Sequence, residues 1–152
     1  MISVAERGLI QKPGIRQFIK FCIVGATSFT IDFGVSYLLH YYAKFPVYTA
    51  KTLSFCVAVT NGFFWNQRWT FRAVGHRKHH EQYAMFLGVN VVGLLLNGGI
   101  FMCVIKLTTG EWSPHEAPKK WFLLATLAAT AVVVFWNFFA NKHWTFKPPP
   151  EE

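Results

Sequence analysis

One carboxylate, Asp32, lies near the middle of a long apolar block, in a chain whose other acids fall outside such blocks. A carboxylate placed there serves one of three chemistries. It carries a proton, binds a cation, or accepts hydrogen bonds from sugar hydroxyls. The alternative is structural: an interhelical hydrogen bond, or a pair with Lys51, which sits one turn inside the next apolar block. An acid mid-helix in lipid costs about 2.5–3.5 kcal/mol on insertion scales. A packing role is open to an amide, and Asn97 occupies the matching place in the second half of the chain. Asp32 is therefore a candidate functional residue rather than a spacer.

The match between Asp32 and Asn97 belongs to an internal repeat. Asn66-Gln-Arg-Trp-Thr-Phe-Arg72 recurs as Asn141-Lys-His-Trp-Thr-Phe-Lys147. Upstream, Gln17, Phe18 and Phe21 recur as Gln82, Tyr83 and Phe86, and Gly34 recurs as Gly99. A longer second connection absorbs the change of offset between these two sets. Polar stripes repeat as well. Gly25, Ser28, Asp32 and Ser36 are spaced to share one helix face, and Asn90, Gly93 and Asn97 are their counterparts. Lys51, Phe55, Gly62 and Asn66 fall close to one face, with Thr126, Thr130, Asn137 and Asn141 as counterparts. Small and amide residues on a stripe let membrane helices approach and hydrogen-bond. Asp32, Asn97, Lys51, Asn66, Asn141 and Asn137 are the candidate substrate-binding or coupling residues, with packing alone as the other reading of the amides. In the Trp-Thr-Phe elements, Arg68, Arg72, Lys142 and Lys147 would make two cationic corners. Arg suits forked phosphate recognition and Lys point-charge recognition. Trp69 and Trp144 suit an interfacial aromatic belt.

Long apolar elements must position these residues. The 152 residues are 53% hydrophobic and only 14% charged, with 16 phenylalanines. Soluble domains carry about 25% charged residues. Four apolar blocks run from about Phe18 to Tyr41, Val47 to Asn66, Tyr83 to Ile105 and Trp121 to Ala140. Each meets the length of about 20 residues that a spanning helix needs. Helices are required because lipid cannot satisfy open strands. Disorder and a soluble globular fold are excluded. The expectation is an all-α integral membrane protein with four transmembrane helices, arranged as two tandem parallel helical-hairpin repeats.

The net charge of +8 comes from basic residues set mainly between apolar blocks, a pattern of membrane topology rather than nucleic-acid binding. Ten basic residues flank the blocks on one side and five on the other. Both termini and the central loop are therefore expected in the cytoplasm. The domain is a single membrane unit over 1–152, with repeat 1 at about 16–72, a cytoplasmic loop at 73–81 and repeat 2 at about 82–147. The start of the chain lacks the pattern of a cleaved secretory signal, so the first block is expected to remain as an anchor. The connection Leu107–Lys120 holds Glu111, Pro114, Glu116 and Pro118 and is expected to be irregular. The central His76–His80 tract reads as a basic loop rather than a metal site. Cys22, Cys56 and Cys103 read as small buried apolar groups. No catalytic triad, paired carboxylates or glycine-rich phosphate loop is present, so the chain is expected not to be an enzyme and to need no metal or cofactor.

At these residues the sequence resembles the GtrA-like family of small four-span membrane proteins. The resemblance rests on Phe21-x-x-Val24-Gly25, Asp32-Phe33, Asn66 to Phe71, and Asn137-Phe138-x-x-Asn141-Lys-x-Trp144-Thr-Phe146. It extends from about Arg16 to Lys147. His143 stands where an Arg is more usual. The resemblance implies work in cell-surface polysaccharide synthesis at the inner or plasma membrane. A polyprenyl-phosphate-linked sugar moves outward, supplied by a separate membrane glycosyltransferase. It also implies an alternative, a non-catalytic anchor or accessory subunit of such a transferase. Four helices make a thin wall around a sugar head, so a homodimer or larger assembly is expected. A small proton-coupled exporter is a third reading of Asp32, which the paired basic Trp-Thr-Phe ends do not favour.

Overall fold

The computed structural model describes residues 13–73, 77–110, 112, 114 and 117–147. Among them are four α-helices and no strand: α1 (Pro13–Tyr37), α2 (Val47–Trp65), α3 (His79–Thr109) and α4 (Lys119–Ala140). Three of them run on into a π-helical turn: α1 into Leu38–Tyr42, α2 into Asn66–Thr70 and α4 into Asn141–Thr145. Arg7 and Lys12, which precede the first apolar block and are two of the ten basic residues on its side, lie outside the described residues. So do His76, Glu111 and Glu116. The connection after α3 is shorter than the sequence suggests, since helix continues to Thr109.

The chain forms two compact units. In the first, which ends at Lys78, α1 packs along α2. In the second, His79–Lys147, α3 packs along α4. Each is a helical hairpin. Pro46 and Pro118 stand immediately before α2 and α4 with nearly the same backbone angles. A proline fits there because its fixed φ is helix-compatible and its missing N–H has no intrahelical partner to lose.

Among the described residues, three helices are long and apolar enough to cross a membrane by length and composition. They are α1 and α4, each with its π turn, and α3. α2 is not among these three. It carries Thr49, Lys51, Thr52, Ser54, Thr60 and Asn61, more polar groups than the sequence block suggests at first reading.

Matching positions are buried in the two hairpins. Ala50, Ser54, Phe63, Asn66 and Thr70 are buried in the first; Ala125, Ala129, Phe138, Asn141 and Thr145 are buried in the second. Small residues in this column allow close helix approach. A ring pair closes one end of each hairpin: Phe21 with Phe71 at 6.2 Å, and Phe86 with Phe146 at 6.0 Å. Between these features one pair of sizes is exchanged. The first hairpin has Ser28 on α1 and Gly62 on α2. The second has Gly93 on α3 and Asn137 on α4, and a Cβ added at Gly93 would lie 2.6 Å from Asn137 Oδ1.

The outer faces are apolar. Phe29, Phe33, Leu94, Leu95, Leu123 and Leu127 are all exposed. Soluble monomers rarely present contiguous apolar surface on this scale. The three cysteines are free and exposed rather than buried. Their place in apolar blocks reflects this outer face, which a sequence of apolar blocks cannot distinguish from a core.

Candidate functional site

The seam between α1 and α2 carries polar contacts at three levels. At one end, Lys20 Nζ donates to the Trp69 carbonyl at 3.3 Å and lies 5.2 Å from the centre of the Trp69 ring. Further along, Asn61 Nδ2 donates to Ser28 Oγ at 3.3 Å. At the third level Asp32 receives two partners from α2. Ser54 Oγ donates to Oδ1, and Lys51 Nζ pairs with Oδ2 at 3.4 Å. The long lysine side chain reaches the carboxylate from the neighbouring helix. The Asp32 side chain keeps 27% of its surface exposed. A carboxylate offers about four lone-pair sites, so acceptor capacity remains.

A groove of about 250 Å³ opens beside this cluster, walled by Phe33, Tyr37, His40, Tyr41 and Lys51. The tyrosine rings at 37 and 41 are 4.7 Å apart, at the entry to the π turn Leu38–Tyr42. Single π turns recur at functional sites because they re-aim side chains. Acceptor, ammonium, hydroxyl and aromatic faces together form a set able to receive a hydroxyl-rich head.

The second hairpin does not repeat the cluster. Asn97 is half-buried on α3. The positions matching Lys51 and Ser54 are Thr126 and Ala129, and Thr126 spends its hydroxyl on the Phe122 carbonyl. Its seam is instead closed by Trp136 Nε1 donating to the Val89 carbonyl at 3.3 Å and by Asn137 against Gly93.

The remaining amides are held apart from Asp32. Asn66 begins a π turn that lies beyond Ser54 by about 18 Å of helix rise. It is buried, as is Asn141, whose Nδ2 donates to the Asn137 carbonyl at 2.8 Å. Asn66, Asn137 and Asn141 each keep a buried side-chain oxygen without a hydrogen-bond partner among the described residues, and so do the hydroxyls of Thr70 and Thr145. Such atoms cost about 1–3 kcal/mol each when left unpaired.

The basic residues sit at the π-turn ends. Arg68 is exposed and lies 5.2 Å from the Phe64 ring. Its counterpart His143 stacks on Phe139 in the same relation, with rings 6.3 Å apart and nearly parallel. Lys142 is 5.7 Å from the Phe138 ring. Arg72 is exposed with φ of 52°, a left-handed backbone that costs a non-glycine residue about 1–2 kcal/mol. Lys147 is exposed, and Trp69 and Trp144 present large apolar surfaces.

Sequence reasoning singled out neither Ser54 nor Asn61, and Lys20 entered it only as one of the ten basic residues that set the orientation. The available signal for Ser54 was its spacing of three from Lys51. The repeat hid it, since its counterpart is Ala129.

Helical hairpins with apolar outer faces and a polar seam define a helical membrane protein. The chain belongs to the GtrA/DPMS transmembrane-domain family, whose profile matches residues 20–146. It is also similar to a protein of Bacillus subtilis (strain 168) described as "Uncharacterized membrane protein YngA". The two are 28% identical over 137 residues, which is 89% of this chain and 82% of that protein.

Proposed function

We propose that this protein carries polyprenyl-phosphate-linked sugars from the cytoplasmic to the outer leaflet for cell-surface polysaccharide synthesis. In this reading all four helices cross the inner or plasma membrane as two tandem parallel hairpins within one domain. Both termini and the 73–81 loop are cytoplasmic. The protein makes and breaks no covalent bond and uses no cofactor. A membrane glycosyltransferase supplies the cargo, and two or more copies complete the wall around it.

The observation that carries this reading is the cluster of Asp32, Ser54 and Lys51 beside an aromatic-walled groove. A hairpin that only anchors needs no carboxylate in its seam, and the α3–α4 hairpin manages with Ala125 and Ala129. Asp32 replaces water around sugar hydroxyls, and Lys51 keeps the carboxylate paired between cargoes. Membership of the family supports the cargo class. The basic ends, with Arg68 and Arg72 in one hairpin and Lys142 and Lys147 in the other, are suited to capture the phosphate. Asn66, Asn97, Asn137 and Asn141 are further polar groups for the sugar. The polyprenyl tail stays in lipid while the head passes.

The test is movement of a polyprenyl-phosphate sugar across proteoliposomes that contain this protein alone. Outward movement supports the reading. No movement by folded protein with suitable cargo would sink it, and would favour an accessory subunit of a glycosyltransferase. One observation speaks for that second reading. Within its own hairpin α3 has nothing among the described residues packed over Gly98 and Gly99, and an apolar groove runs beside Gly99.

A further inference from the structure

We infer that the Lys20 end of the α1–α2 hairpin is a seat for one polyprenyl phosphate chain. Lys20 and Arg68 take the phosphate, and a groove lined by α1 together with Trp65 and Trp69 takes the first isoprene units. The inference rests on the cargo class proposed above and adds a defined binding place to it.

The groove has a volume of about 240 Å³ and is lined by Ile23, Val24, Thr27, Trp65 and Trp69. Thr27 gives its hydroxyl proton to the Ile23 carbonyl at 2.9 Å, so the groove offers hydrocarbon and indole surface. Trp65 and Trp69 are spaced to stand one above the other on a helix face. Their rigid rings give wide apolar contact at little entropic cost.

Charge gives the seat its polarity. Lys20 Nζ has three N–H donors, and the Trp69 carbonyl engages one. Two remain for phosphate oxygens. Arg68 precedes Trp69, and its guanidinium is steadied over Phe64 with its planar fork of donors available. Among the described residues of the α1–α2 hairpin the one acid, Asp32, lies about 18 Å further along α1 and is already paired with Lys51. An anionic head with a long apolar tail therefore matches this end in both charge and surface. A sugar alone matches only the far end.

The second hairpin carries no such seat. Met85, Ala140 and His143 stand where the first has Lys20, Trp65 and Arg68. The Lys20–Arg68 pair and the tail groove beside it are thus a property of one hairpin, although a basic end and the Trp-Thr-Phe element are common to both.

The test is equilibrium binding of a polyprenyl phosphate to the full chain in lipid nanodiscs, independent of transport. The wild type is expected to bind. Lys20→Gln and Trp65→Ala are each expected to weaken binding at least about tenfold, or about 1.4 kcal/mol. Lys20→Arg restores it, and Met85→Gln leaves it unchanged. Trp65 is 53% exposed, so its truncation opens no core void. The unphosphorylated polyprenol and a straight-chain phosphatidylglycerol are expected to bind more weakly, and inorganic phosphate is expected not to compete. Wild-type affinity in Lys20→Gln or Trp65→Ala overturns the seat alone. Competition by inorganic phosphate also overturns it, because the tail would then contribute nothing. Absence of binding by the wild type overturns seat and cargo together.

Discussion

Exchanging one pair of residues between the hairpins tests how α3 meets α4. Gly93 faces Asn137, where the first hairpin has Ser28 and Gly62. A Cβ at position 93 would stand 2.6 Å from Asn137 Oδ1, 3.2 Å from Nδ2 and 3.3 Å from Cγ. The whole amide must therefore move, or the helices must part. Gly93→Ser is expected to cost about 1–3 kcal/mol, the usual penalty of overpacking. Asn137→Gly alone places a glycine in a helix interior, at about 0.3–0.5 kcal/mol of propensity relative to Asn. The double variant imports the arrangement of the first hairpin and removes the clash. Its loss is expected to be smaller than the sum of the single losses by about 0.5–3 kcal/mol, the range for residues in contact. Thermal unfolding in detergent, followed by helix content, reads this out at about 2–4 °C per kcal/mol for a chain of this size. Additive losses, agreeing within about 0.3–0.5 kcal/mol, would refute the packing of Asn137 on Gly93.

Two further predictions concern the basic end and the topology. Arg68→Ala is expected to weaken the apparent affinity for phosphate-linked cargo about tenfold, the scale of one charge-assisted contact. His143→Ala is expected to have a smaller effect, and an unchanged affinity in Arg68→Ala would count against the cationic corner. In a background with its native cysteines replaced, Lys44→Cys is expected to react with an impermeant thiol reagent from outside, and Arg77→Cys only from inside. Labelling of both from one side would overturn the orientation drawn from basic-residue counts.

Apolar blocks made the helices legible because lipid-facing surface needs continuous hydrocarbon. Their ends were less so. α3 extends past its block at both ends, through His79–Gln82 and Lys106–Thr109, where polar residues continue the helix. The π turns were not legible, since no residue type announces them, but two of the three coincide with the repeated Asn-x-x-Trp-Thr element. The spacing left the pairing of Asp32 with Lys51 open, because axial rise alone separates them and the reach of a lysine depends on its rotamer. Ser54 was lost to the repeat. A comparison of halves draws attention to shared positions, whereas the cluster around Asp32 is built from positions where the halves differ.

The central claim is that Asp32 lies in the path of a sugar head. The most direct measurement is the rate at which proteoliposomes of wild type and Asp32→Asn move a polyprenyl-phosphate sugar, with helix content and melting checked on the same samples. Ser54 can still donate to an amide oxygen at position 32, and the fold already holds an amide at Asn97. Folding is therefore expected to survive. Transport is expected to fall about 10- to 100-fold, the scale of losing one charge-assisted hydrogen bond to the cargo. Transport by Asp32→Asn at the wild-type rate would contradict the account.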